Sequence, residues 1–221
     1  MGTVLVLGAS RGIGLELAHQ YLARGARVIA TARDDAGLQR LRAQGAQALR
    51  VDLAQPGSVS GLAWQLDGVK LDVALYVAGL WDADGAATPP TQARFDQLMH
   101  ANVLGAMQAL PQVAPMVEET GGVFGFLSSA MSLISEAGSD AWLYRVSKAA
   151  LNMAVAAAQP VWPRATLVTL DPGWTQTDMG GAAAPLTVEQ SVQGLVRTLG
   201  TVTAADRGRL LHHDGRRAER W

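Results

Sequence analysis

The chain has 221 residues and no cysteine, which excludes disulfides and thiolate metal sites and fits a reducing compartment. Histidine is scarce. The four present (His19, His100, His212, His213) show no HExxH or other ligand spacing, and His212–His213 reads as a strand end rather than a metal site. An excess of charge of one sign is also missing, with 18 Lys and Arg against 19 Asp and Glu. No electrostatic argument therefore favours nucleic acid or an acidic membrane as partner. No apolar run approaches the roughly 18 residues of a membrane span. The N-terminus enters an apolar run by Thr3 with no basic segment or cleavage site, so no signal peptide is expected. These absences leave a soluble, cytoplasmic protein of one domain spanning 1–221, long enough to bury a full core.

What is present is alternation. Short apolar blocks at Val4–Leu7, Arg27–Thr31, Ala46–Val51, Asp72–Val77, Val123–Leu127, Thr166–Leu170 and Arg209–His212 predict about seven buried strands. Helical patterns lie between them near 13–24, 35–44, 57–66, 92–117, 142–158 and 187–199. Alternating βα units imply an α/β fold, a doubly wound parallel sheet with right-handed crossovers and helices on both faces. Ligands of such sheets bind beyond the carboxyl ends of the strands, at the switch point.

The first strand runs into Gly8-Ala9-Ser10-Arg11-Gly12-Ile13-Gly14 and then a helix. Glycines there let the backbone approach a pyrophosphate, and the helix N-terminus offers free N–H groups. At the end of the second strand Thr31 stands where a ribose-binding Asp would sit, and Arg33 follows closely. Arg33 and Arg11 offer two cations for a 2′-phosphate, so NADP(H) is expected over NAD(H), although Asp34 could also reach a ribose.

Tyr144 and Lys148 lie four residues apart, on one face if their segment is helical. A phenol titrates near 10, about three units above neutrality; an adjacent ammonium lowers that value and makes Tyr144 a usable acid or base.

The GxxxGIG turn, the Asp52-Leu53 step, Val77-Ala78-Gly79, Ser128-Ser129, the Tyr-Arg-Val-Ser-Lys run and Pro172-Gly173-Trp174-Thr175-Gln176-Thr177 together resemble the short-chain dehydrogenase/reductase family, in its C-factor and small carbonyl reductase branch. The resemblance spans essentially the whole chain. It implies a Rossmann-type sheet in the order 3-2-1-4-5-6-7. It also implies a constellation in which Tyr144 protonates a carbonyl oxygen, Ser129 hydrogen-bonds the same oxygen, Lys148 tunes Tyr144 and binds the nicotinamide ribose, and Asn102 positions a water. On the cofactor side it implies Gly8, Ser10, Arg11, Gly12, Ile13, Gly14 and Arg33 at the phosphates, with Asp52 and Leu53 at the adenine. Ala78 and Gly79 would meet the adenosine ribose, Pro172, Gly173 and Thr175 the nicotinamide end, and Thr177 the phosphates or the amide. Two departures stand out. Val77 replaces the usual Asn, and the span from Ser129 to Tyr144 is two residues longer than common, which keeps Ser128 and Ser132 open as alternatives to Ser129.

Trp81, Met131, Trp142, Trp174 and Met179 fall on the facing loops and suggest a pocket for a hydrophobic ketone or aldehyde, or simply lid packing. The Ala- and Gly-rich segment from Asp178 to Thr187 is expected to move as a lid. A homodimer or homotetramer is expected, and the apolar face of the 99–117 helix serves either as a dimer surface or simply as cover for the sheet. The expected activity is carbonyl–alcohol interconversion by hydride transfer. The rival is a nucleotide-binding signalling protein of the C-factor type with little turnover.

Overall fold

The computed structural model describes every residue except Met1 and Arg220. Seven strands form one parallel sheet: β1 (Thr3–Leu7), β2 (Arg27–Ala32), β3 (Gln47–Arg50), β4 (Val73–Tyr76), β5 (Val123–Leu127), β6 (Thr166–Asp171) and β7 (Leu210–His212). Their spatial order is β3-β2-β1-β4-β5-β6-β7, as the family resemblance implies. The order reverses between β1 and β4, so the switch point lies beyond Leu7 and Tyr76.

The helices are α1 (Gly12–Ala23), α2 (Asp35–Ala43), α3 (Pro56–Val59), α4 (Leu62–Gln65), α5 (Gln92–Met99), α6 (Gly105–Thr120), α7 (Trp142–Ala158) and α8 (Val188–Leu199). One cluster on Leu5, Leu7, Tyr76, Phe124 and Phe126 packs α6 and α7 against one face of the sheet. A second, on Val4, Val6, Val28, Val168 and Leu170, packs α1 and α8 against the other. The strands are apolar on both faces for this reason. None of the described helices is long and apolar enough to cross a membrane.

Two predicted helices are interrupted. The 57–66 pattern breaks at Ser60-Gly61 into two single turns, where the Ser60 hydroxyl donates to the Gly57 carbonyl at 2.9 Å and glycine disfavours continuation. The 92–117 pattern becomes α5, a π turn over His100–Leu104, and α6. Asn102 sits in that π turn, a form of helix seen mostly as single turns at functional positions.

Candidate active site

Gly8, at φ 88°, turns the chain out of β1. Its N–H donates to Thr31 Oγ1 at 2.9 Å, and the Ala9 N–H donates to the Thr31 carbonyl at 2.8 Å. A side chain at position 8 would come within 2.9 Å of the Ala78 nitrogen, and one at Gly14 within 2.3 Å of the Gly8 carbonyl oxygen. These two glycines let β4 and α1 close on the turn. Arg11 precedes α1 without a side-chain cap, and the first turn of the helix carries no acidic residue. The N–H groups of Gly12, Ile13 and Gly14 therefore have no side-chain partner, at a helix end whose dipole favours an anion.

The cation set differs in part from the expected one. Thr31 is fully buried and committed to Gly8, so it lies beneath the turn and not at its mouth. The strand-end side chain near Ser10 and Gly37 is that of Ala32, because successive strand residues face opposite ways. A ribose-binding carboxylate would belong at 32, and none is there. Asp34 caps α2, its Oδ1 accepting from the Gly37 N–H at 2.7 Å. Arg33 is exposed, and its guanidinium makes no ion pair or hydrogen bond among the described residues. Arg11 pairs across the cleft with Asp178. Arg40, absent from the expected set, donates to the Ser10 carbonyl at 3.1 Å and adds a third cation beside the turn; its position on a predicted helix gave no hint of that reach.

Asp52 accepts the Ala54 N–H on Oδ1 at 3.0 Å, which leaves Oδ2 without a partner among the described residues. Leu53 is buried, with its carbonyl against Gly105 of α6. The Val77 N–H donates to the Leu7 carbonyl at 2.9 Å and carries the β1–β4 ladder one residue past Tyr76. Gly79 lies where Asn102 and Lys148 converge: a Cβ there would stand 3.3 Å from Asn102 Oδ1 and 3.4 Å from Lys148 Nζ.

At the end of β5 the three serines separate. Ser128 donates to Asn152 Oδ1 at 2.7 Å, and Ser132 donates to the Ser129 carbonyl at 2.5 Å. Of the three, only the Ser129 hydroxyl faces the Tyr144 phenol closely enough to lower its pKa; its Oγ accepts the Met131 N–H at 3.1 Å. The long span to Tyr144 is absorbed by single 3₁₀ turns at Ala130–Ser132 and Ile134–Glu136 and by Ala141, the one non-glycine residue in the left-handed region among those described, at φ 48°.

Tyr144 and Lys148 do share a face of α7, both buried, with Lys148 Nζ 5.6 Å from the centre of the Tyr144 ring. Their electrostatics differ from the expected tuning. Burial pushes the phenol up to about 12, the Ser129 hydrogen bond pulls it down, and the Asp171 carboxylate raises it. Burial pushes the Lys148 ammonium down to about 8. Desolvation outweighs mutual attraction because the ammonium donates to the Leu127 carbonyl at 2.7 Å instead of to the phenol. Two of its three donors remain unused within the described residues.

Asn102 is fully buried. Its Oδ1 accepts the Leu80 N–H at 2.7 Å, and its Nδ2 donates to the Leu80 carbonyl at 3.0 Å and to Ser147 Oγ at 2.9 Å. Both side-chain N–H groups are thus spent tying the loop after β4 to α7. Only the second lone pair of Oδ1 remains for a water.

After β6, Gly173 takes φ 71° and its N–H donates to Asp171 Oδ1 at 3.2 Å. The other Asp171 oxygen pairs with His212 Nδ1 at 2.8 Å. Sequence reading gave neither residue of this part-buried pair a role; β6–β7 register, which aligns them, was its only signal. Thr175 is buried and bridges to Leu186, and Thr177 Cγ2 lies 3.6 Å from where a Gly12 side chain would start. The predicted lid is pinned at both ends: Gln176 N–H donates to the Leu186 carbonyl at 2.8 Å and Trp174 Nε1 to the Gly180 carbonyl at 2.8 Å.

Of the five expected pocket residues, Trp81 meets the tyrosine directly, edge to face, with ring centres 4.6 Å apart. The ion pair of buried Asp82 with half-buried Arg94 at 2.6 Å, with Arg94 Nη2 donating to the Trp81 carbonyl, ties that loop to α5. Trp174 and Met179 are exposed on the loop after β6. Trp142 Nε1 is buried without a partner among the described residues.

An anion-accepting turn at the switch point, with hydroxyl donors gathered beyond the neighbouring strand ends, places the molecule among Rossmann-type nucleotide-dependent oxidoreductases. Residues 2–185 match the family model for short chain dehydrogenase. The chain belongs to that family, whose members use NAD(P). It is 32% identical over 224 residues to 1-hydroxy-2-glutathionyl-2-methyl-3-butene dehydrogenase of Rhodococcus sp. strain AD45, covering 97% of this chain and 98% of that protein. It is 34% identical over 143 residues to C-signal of Myxococcus xanthus, covering 63% of this chain and 84% of that protein. A carbonyl reductase from Pseudomonas aeruginosa PAO1, solved in complex with NADP, matches over 100% of both chains at 32% identity and a TM-score of 0.85.

Proposed function

We propose that the protein is an NADP(H)-preferring carbonyl reductase or alcohol dehydrogenase, acting on a small hydrophobic ketone, aldehyde or the matching alcohol. The observation that carries this reading is the placing of the buried Tyr144, with the Ser129 hydroxyl lowering its pKa, one helical turn from a buried ammonium with two unused donors.

The residues present suit a nicotinamide nucleotide. Ser10, Arg11 and the uncapped first turn, Gly12 to Gly14, would take the phosphates, and Arg33 and Arg40 a 2′-phosphate. Asp52 Oδ2 and Leu53 would meet the adenine, and Ala78 and Gly79 its ribose. Lys148 and Tyr144 would hold the nicotinamide ribose, with Pro172, Gly173, Thr175 and Thr177 around the ring and its amide. When bound, the reduced nucleotide supplies the hydride that adds to the carbonyl carbon.

Tyr144 gives its phenolic proton to the carbonyl oxygen, and Ser129 donates a hydrogen bond to the same oxygen as charge develops. C=O becomes CH–OH, and Tyr144 is left as phenolate. The Lys148 ammonium stabilises that phenolate, and a proton from solvent restores it. Asn102 holds Lys148's surroundings through Leu80 and Ser147. Trp81, against the Tyr144 ring, supplies an apolar wall for the substrate. The reading treats the chain as one cytoplasmic domain that assembles as a homodimer or homotetramer.

A panel of aromatic and aliphatic carbonyls and alcohols, run with NADPH, NADH and their oxidised forms and followed by nicotinamide absorbance, tests the proposal. Turnover with NADPH on hydrophobic carbonyls is expected. NADPH binding without turnover on any member would favour the signalling protein instead.

A further inference from the structure

Asn152 lies one turn beyond Lys148 on α7, so Tyr144, Lys148 and Asn152 form a single stripe at spacing four. The mechanism above makes no use of it, yet it is buried and both ends of its amide are spent. Oδ1 accepts from Ser128 Oγ at 2.7 Å, and Nδ2 donates to Ser132 Oγ at 2.7 Å. The Ser132 hydroxyl in turn donates to the Ser129 carbonyl at 2.5 Å, where the Ser132 N–H also donates at 3.0 Å.

These contacts form one directed chain that grips the loop on both sides of Ser129: at Ser128 before it and at Ser132 after it. The amide accepts on one side and donates on the other; an ionised carboxylate cannot donate, and an alkyl group can do neither. The long connection from Ser129 to Tyr144, with its two 3₁₀ turns and left-handed Ala141, does not fix the distance between the two hydroxyls by local geometry. The amide fixes it by referring Ser129 to the same helix face that carries Tyr144. A hydroxyl that stabilises a developing oxyanion must be held closely, because a displacement of about 1 Å can cost about 100-fold in rate.

We propose that Asn152 is a positioning residue that sets Ser129 against the Tyr144 hydroxyl, acting through Ser128 and Ser132 without touching substrate or cofactor. The inference rests on the functional reading of Ser129 and Tyr144 given above.

The test is a double-mutant cycle with NADPH and para-nitrobenzaldehyde. Ser129→Ala is expected to lower kcat about 100-fold, and Asn152→Leu about 10-fold. If Asn152 acts through Ser129, adding Asn152→Leu to Ser129→Ala lowers kcat by less than about twofold more. The dissociation constant for NADPH, read by cofactor fluorescence, stays within about threefold of wild type in all variants. Asn152→Asp, which keeps the acceptor but loses the donor, is expected to fall with Asn152→Leu. Should Asn152→Leu fail to fold, Ser132→Ala replaces it under the same criterion. An equal loss in the wild-type and Ser129→Ala backgrounds, or no loss in either, overturns the positioning role. Full turnover of Ser129→Ala alone overturns the functional reading instead, so the two failures are distinguishable.

Discussion

Lys148 Nζ stands 5.6 Å from the centre of the Tyr144 ring and gives its hydrogen bond to the Leu127 carbonyl. The two groups are neighbours on α7 without a direct bond, and burial drives each toward its neutral form, the phenol up to about 12 and the ammonium down to about 8. The protein thus keeps a cation buried at a desolvation cost, with one hydrogen bond, to the Leu127 carbonyl, to offset it. An activity that uses the cation explains why it is there.

Lys148→Met should therefore be more stable than wild type at neutral pH, by about 2–3 kcal/mol, while losing turnover. Between a folded value of about 8 and an unfolded value of 10.5 the unfolded chain binds a proton that the folded one does not. Wild-type stability consequently rises with pH through that window, and the slope disappears in the variant. Denaturant unfolding at a series of pH values checks both statements.

Cofactor choice should follow the guanidinium groups. Arg33→Ala is expected to raise KM for NADPH about tenfold and leave KM for NADH unchanged. Asp178→Asn, by freeing Arg11 from its exposed partner, should lower KM for NADPH by about twofold, in keeping with the small worth of a solvent-exposed pair.

Ala141, buried at φ 48° just before α7, carries backbone strain that glycine would relieve. Ala141→Gly is expected to raise stability by about 1 kcal/mol, read as a higher midpoint in thermal unfolding.

The Asp171–His212 pair should make stability pH-dependent. The hydrogen bond to Asp171 raises the His212 value above its ordinary 6.5, with Asp214 adding to the shift while burial and Arg216 oppose it. A proton held more tightly by the folded chain stabilises it fully below about 6.5, and that contribution is lost as pH rises through the higher folded value. His212→Asn should flatten the stability profile across that range in equilibrium unfolding.

The strands and the glycine turn were legible because each strand is a continuous apolar block and the glycines precede a helical pattern, while the strand order came from the family resemblance alone. The Tyr144–Lys148 face was legible for the same reason, its spacing of four. Asn152 repeats that spacing and could have been found by extending it one turn. Other features depend on packing that no local pattern records. Thr31 and Ala32 differ only in which side of β2 faces the turn, and the π turn at Asn102 follows from its bonds to Leu80 and Ser147. Ser128, Ser129 and Ser132 became distinguishable only when their partners were in place. The expected fall in the Tyr144 value failed because spacing says nothing about desolvation, the larger effect here.

The most direct measurement is NADPH oxidation by Tyr144→Phe in the presence of para-nitrobenzaldehyde, alongside NADPH binding by fluorescence. Loss of the phenolic proton should lower kcat at least about 1000-fold, with the dissociation constant for NADPH changed by no more than about threefold. Turnover by the variant near the wild-type rate would contradict the assignment of Tyr144 as the proton donor, and with it the account of this site.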